Sequence, residues 1–154
     1  MDTSPPGPQT EVLPEEECWK YLRSSYIGRL AVINGTTPEI FPVNFVPAEG
    51  ALFFRTAAGT KLYSLLAGTV VALEADGMNA YGTEVWSVVV KGLPEPMAED
   101  AVPLELSDPD REPWEAGVKE HLIRITPTDV SGRRFPVHSR TRWWPPMDFS
   151  SDWT

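Results

Sequence analysis

A mainly β fold, a closed or nearly closed barrel of six antiparallel strands with minor α, is the class this sequence predicts, on three observations. From Gly28 onward the chain breaks into short runs of β-branched and aromatic residues separated by turn chemistry. Sixteen prolines and 11 glycines in 154 residues favour many turns over long helices. Six such runs accompany only two helical patterns, and closing the sheet on itself removes its edges. The length is that of one domain. Residues 1–10 are assigned to a disordered arm, 11–135 to the domain and 136–154 to a tail rich in aromatics and proline.

The arm holds Pro5, Pro6, Gly7 and Pro8 and too little apolar surface to pack. A short helix follows. Pro14 suits its first position, Glu15, Glu16 and Glu17 its start, Lys20 and Arg23 its end, and Cys18, Trp19 and Leu22 form one apolar face. Strands are predicted at Arg29–Asn34, at Glu39–Val46 across an Asn34-Gly35 turn, and at Ala51–Thr56 after Ala48-Glu49-Gly50. Thr60–Ala67 has helical spacing with Leu62, Leu65 and Leu66 inward, closed by Gly68, and Thr69–Ala75 returns as a strand.

After a polar loop over Asp76–Thr83, Glu84–Leu93 is strongly β-prone, and Val88-Val89-Val90 suggests burial on both sides. Residues 94–117 carry five prolines, and between Glu99 and Gly117 seven acidic residues stand against Arg111 alone. This composition predicts a long surface excursion. Val118–Thr126 is the last strand, with His121, Ile123 and Ile125 alternating against Leu122, Arg124 and Thr126. The tail, with Trp143, Trp144, Phe149 and Trp153, is expected to dock on this subunit or a partner, because so much apolar surface is costly in water.

The formal net charge of −9 repels nucleic acid and anionic membranes, and no run approaches the ~20 apolar residues of a membrane span. The single Cys18 cannot close an internal disulfide, and the N-terminus lacks a secretory pattern. A cytoplasmic location is expected. With only His121 and His138, far apart, and no partner for Cys18, a structural zinc site is not expected. The chain has no Gly-x-Ser-x-Gly elbow, no nucleotide P-loop and no Gly-x-Gly-x-x-Gly after a strand. Glu74 and Asp76, two apart on one strand face, fit a solvated strand end or acid–base work.

The stretch from Phe54 to Lys61 joins a strand to a helix with two cations, two hydroxyls and a glycine. It fits an ordinary capped turn or an anion site built on a helix start, with Thr56, Thr60 and Lys61 as donors. Beside it stand Phe41-Pro42-Val43-Asn44-Phe45 and Glu84-Val85-Trp86-Ser87-Val88. Together these would suit a planar, phosphorylated, non-covalent cofactor.

The order Gly28-Arg29-Leu30-Ala31, Pro38 with Phe41–Phe45, Phe54-Arg55-Thr56 with Gly59-Thr60-Lys61-Leu62, and Trp86–Val90 with Gly92 resembles the pyridoxamine 5'-phosphate oxidase-like flavoproteins. It is most similar to their short actinobacterial branch and is related to the nitroimidazole-resistance proteins. The resemblance spans about residues 16–98 and implies a split barrel, a homodimer and FMN between subunits. By position, Arg55, Thr56, Thr60 and Lys61 would hold the FMN phosphate. Pro42, Val43, Asn44 and Phe45 would line the isoalloxazine through backbone contacts, and Trp86 with Ser87 would border it. Leu62 stands where relatives carry a second cation, so Arg55 would compensate. Gly132-Arg133-Arg134-Phe135 matches only loosely the arginine-bearing segment with which true oxidases read pyridoxamine phosphate. The implied function is an FMN-dependent oxidoreductase acting on a small molecule. Its rivals are a flavin-binding or sensing module without turnover and the same barrel carrying a deazaflavin, while haem lacks a ligand context.

Overall fold

The structure, a computed structural model, describes residues 10–107 and 121–137. Residues 1–9 of the arm, residues 108–117 of the excursion, Val118–Glu120 of the last predicted strand, His138 and the aromatic tail beyond it lie outside the described residues. The elements are β1 (Glu11–Val12), α1 (Glu15–Arg23), β2 (Ile27–Asn34), β3 (Thr37–Ala48), β4 (Ala51–Thr56), α2 (Thr60–Leu65), β5 (Val71–Met78), β6 (Glu84–Met97) and β7 (His121–Pro136). Two 3₁₀ turns, Glu99–Ala101 and Leu104–Ser107, follow β6.

The strands are antiparallel in the order β1-β7-β4-β3-β2-β5-β6, and β6 also pairs with β7. That last pairing closes β2–β7 into the expected six-stranded barrel, to which β1 adds two residues at the edge of β7. The β6–β7 ladder runs from Glu84 opposite Pro136 to Met97 opposite Leu122. It shifts register once, where Lys91 faces Asp129 and Gly92 faces Pro127, leaving Thr128 as the extra residue of a bulge.

Two hairpins show how the turns set register. Ala48 pairs with Ala51, so Glu49 and Gly50 are the central residues, with φ of 52° and 70° as a type I′ turn requires. In the β2–β3 hairpin Asn34 itself pairs with Thr37. The turn is therefore Gly35-Thr36, one residue later than the predicted Asn-Gly, and Gly35 takes the positive φ of 64°.

Several strands outrun their predicted lengths because prolines sit inside them. The Phe45 N–H donates to the Tyr26 carbonyl, so odd-numbered residues of β3 face β2 and even-numbered ones face away. Pro38 and Pro42 thus lack an N–H only on the side where β3 has no neighbour, since β4 pairs with β3 from Phe45 onward. Pro94 and Pro96 repeat this on β6, whose pairing with β5 ends at Gly92. Pro94–Met97 is accordingly strand rather than the start of the excursion. The last strand likewise continues past Thr126 to Pro136.

The barrel interior is filled by side chains that include Leu30, Val43, Phe45, Phe54, Leu73, Val88, Val90, Ile123 and Ile125. α1 contributes Cys18 and Leu22 to this cluster and α2 contributes Leu65. Two inward expectations fail. Leu66 is 50% exposed because α2 stops at Leu65, and Val89 is only half-buried while its neighbours Val88 and Val90 are fully buried. A second apolar cluster lies on the other face of β4. Phe53, Ala48, Ala51 and Leu122 pack there with Met97 at the end of β6 and with Val102 and Leu106 from the strap that follows it. Leu122 thus lies on the face opposite Ile123 and Ile125, as the alternation predicts, but is buried there by the strap.

Arg134 pins α1 to this frame. Its guanidinium donates to the Tyr21 hydroxyl at 3.0 Å and to Glu11 at 2.7 Å, with Glu17 and Glu84 each 3.8 Å away. The Tyr21 ring in turn stacks on Trp86, with centroids 4.6 Å apart. Arg134→Ala leaves a half-buried hydroxyl and carboxylates unpaired. It is expected to cost about 1–3 kcal/mol of unfolding free energy, with Arg134→Lys recovering part. Denaturant unfolding of the three proteins checks this, and an unchanged alanine variant contradicts it.

Candidate functional site

The two-residue period of the strands divides the predicted site residues between two faces. Val43, Phe45, Thr56 and Trp86 point inward and are buried. Pro42, Asn44, Arg55 and Ser87 stand on the outer face of the barrel. The Phe45–Phe54 pair places Asn44 and Arg55 side by side on that face, and Arg29, Glu74, Asp76 and Ser87 continue it across β2, β5 and β6. The structure therefore brings Pro42, Asn44 and Arg55 to one end of an outer band. It separates Trp86 from Ser87, because Trp86 lies 8% exposed under α1 and stacked on Tyr21.

The strand-to-helix joint follows β4. Thr56 is 1% exposed, and its hydroxyl donates to the adjacent Ala57 carbonyl at 3.3 Å. Gly59 precedes α2 at φ 150°, with no side-chain hydrogen bond capping the helix, and Thr60 is its first residue. α2 is six residues long, two shorter than predicted, so its dipole is short and would contribute little to holding an anion. Lys61 is half-buried, with its Nζ 5.2 Å from the centre of the Phe41 ring. Arg55 points its terminal nitrogens at the two carboxylate oxygens of Glu99, at 2.7 and 3.3 Å. That ion pair holds the Glu99 carboxyl below its ordinary value.

Further along the band, Arg29 pairs with Pro42 on one side and Glu74 on the other. Its Nη1 donates to Glu74 at 3.1 Å and to Asp76 at 3.0 Å. Burial pushes the Glu74 carboxyl up to about 7, and the hydrogen bond and charge of Asp76 add to the rise, while Arg29 pulls the other way. The folded chain thus keeps a proton that an ordinary carboxyl, at 4.5, has already lost. The stability from this site is full below 4.5 and is lost as pH rises through about 7. Glu74→Gln is expected to flatten that part of a plot of melting temperature against pH. A variant with the wild-type slope contradicts the assignment.

Two partners in the band had no signal in the sequence near the residues they serve. Glu99 lies 44 residues from Arg55 and Glu74 lies 45 from Arg29; the β2–β5 pairing brings the second pair together, and the β6–β7 and β4–β7 pairings bring the first. A groove of about 650 Å³ between α1 and the β3–β4 turn shares no residue with the band. Glu15, Glu16, Glu49 and Glu105 line it against Arg23, so it repels anions. Among the described residues no helix is long and apolar enough to cross a membrane.

A family model described as pyridoxamine 5'-phosphate oxidase matches residues 14–134. The structure of an FAD binding protein from Mycobacterium smegmatis is 35% identical, covers 82% of this chain and 98% of that one, and superposes with a TM-score of 0.65. An FAD-binding protein from Mesorhizobium loti is 27% identical, with coverages of 81% and 97% and a TM-score of 0.68. An uncharacterized protein of Mycobacterium tuberculosis is 32% identical over 142 residues, covering 84% of this chain and 88% of its own length.

Proposed function

Because the chain belongs to the pyridoxamine 5'-phosphate oxidase family, we propose that it binds a flavin nucleotide on the outer band and acts as a flavin-dependent oxidoreductase on a small molecule. The observation that carries this is the Arg55 fork, which stands beside Asn44 on the outer face one residue before the strand-to-helix joint that leads to Lys61. A carboxylate already occupies the Arg55 fork, so the donor set suits an anion. The FAD binding proteins of M. smegmatis and M. loti support a flavin as the ligand. Both FMN and FAD offer phosphate oxygens to these cations, and a deazaflavin nucleotide does the same.

In this reading Arg55 and Lys61 hold the phosphate end, with the Thr56–Thr60 backbone around it. Pro42–Phe45 present strand backbone and the Pro42 and Asn44 side chains to the ring system, and Ser87 lies farther along the same face. When bound, the flavin supplies hydride or electron-pair transfer, so no side-chain nucleophile is needed. The protein's part is to hold, orient and exclude water. Pyridoxamine phosphate is not the substrate proposed, because Arg134 is committed to Tyr21 and Glu11.

The outer face also exposes Ile27 at 40% and Ile40 at 69%, next to Asn44 and Pro42. A second copy of the chain laid over this face would bury them and enclose the flavin, in line with a homodimer. Fluorescence titration of the purified protein with FMN and FAD tests binding, and sedimentation tests the dimer. Reduction of the bound flavin by nicotinamide donors, followed by a screen of acceptors, separates an enzyme from a module that binds flavin without turnover.

A further inference from the structure

We infer that Glu99 is a specificity-determining residue that competes with the ligand phosphate for Arg55 and so sets which phosphate the site accepts. The inference rests on the reading that Arg55 holds a flavin phosphate. Both terminal nitrogens of Arg55 face the Glu99 carboxylate, so a phosphate gains them only by displacing it or by sharing the fork with a second negative charge. Glu99 is not held there by its own side chain alone. The strap that carries it is seated by Val102 and Leu106, with Met97 at the end of β6, on the cluster of Ala48, Ala51, Phe53 and Leu122, which keeps the carboxylate within reach of the fork. The Glu99 side chain is 63% exposed, so it can swing aside without unpacking the strap.

The consequence depends on ligand charge. Near neutral pH FMN carries a charge approaching −2 on a single phosphate, whereas FAD spreads the same total over two linked phosphates, −1 on each, so less of it lies at the fork. Repulsion by Glu99 therefore disfavours FMN more than FAD. Riboflavin, which has no phosphate, is indifferent to it.

The test is a set of dissociation constants for FMN, FAD and riboflavin with the wild-type chain, Glu99→Gln, Arg55→Ala and the double variant. Glu99→Gln is expected to tighten FMN by about three- to tenfold and FAD by less, leaving riboflavin unchanged. In the Arg55→Ala background the gain should vanish. Equal FMN affinity in the wild type and Glu99→Gln overturns the inference, as does a gain that riboflavin shares, that FAD matches or that persists without Arg55. Titration with inorganic phosphate, followed by the NMR signals of the Arg55 guanidinium, reads the competition without any flavin. If Glu99→Gln tightens phosphate while no flavin binds any variant, the competition stands and the flavin reading falls. If Glu99→Gln leaves phosphate binding unchanged, the competition falls.

Discussion

Gly92→Ala is expected to destabilise the barrel by about 2–3 kcal/mol. A β-carbon at position 92 would lie 2.1 Å from the Thr126 carbonyl oxygen and 2.8 Å from its carbon. Both are backbone atoms, so no side-chain rotation relieves the contact and the two strands must part. They are the strands whose pairing closes the barrel, at the register shift between Lys91 and Gly92. The methyl group gains little in exchange, because the position is already buried. Gly28→Ala meets the Glu74 carbonyl oxygen at 2.8 Å and should follow in the same direction with a smaller effect. Denaturant unfolding of the two variants measures both, and a Gly92→Ala protein with the wild-type midpoint contradicts the closure described above.

Lys61→Ala carries the largest expected effect on the proposed site. It should weaken flavin nucleotide binding by about 1.5–3 kcal/mol, equivalent to roughly ten- to 150-fold in dissociation constant. Stability should change little. The ammonium lies over the Phe41 ring, and a cation–π contact at a partly exposed site is worth about 0.5–1 kcal/mol. Lys61→Arg keeps the charge and should recover part of the affinity. Riboflavin separates a phosphate role from a general one, since its binding should be the same in the wild type and Lys61→Ala. Unchanged FMN and FAD affinity in Lys61→Ala would sink the phosphate assignment.

Much of the fold was legible because local chemistry and topology agree. The Glu49-Gly50 turn, the apolar runs of β3 to β6 and the face of α1 formed by Cys18 and Leu22 are all local signals that the tertiary structure preserves. Legibility failed where a strand's neighbours decide. Prolines 38, 94 and 96 look like strand ends in sequence, and only the one-sided pairing of β3 and β6 there makes them harmless. The burial of Leu122 depends on a strap that packs outside the barrel.

In the candidate site, alternation alone could have separated Pro42, Asn44 and Arg55 from Val43, Phe45 and Thr56, since the period is two. It could not have placed Glu99 on Arg55 or revealed that Trp86 serves α1, because those contacts cross the whole chain. The anion reading of the Phe54–Lys61 joint moved as well. With α2 only six residues long, the proposed anion contacts rest on Arg55 and Lys61 rather than on a helix start.

Native mass spectrometry of the full chain, as purified and after incubation with FMN, FAD, a deazaflavin nucleotide and riboflavin, tests the central claim most directly. The account predicts a stoichiometric adduct with a flavin nucleotide that Lys61→Ala and Arg55→Ala each diminish, and a weaker one with riboflavin that neither alters. A wild-type spectrum free of every flavin nucleotide, or an adduct that both substitutions leave intact, would contradict it.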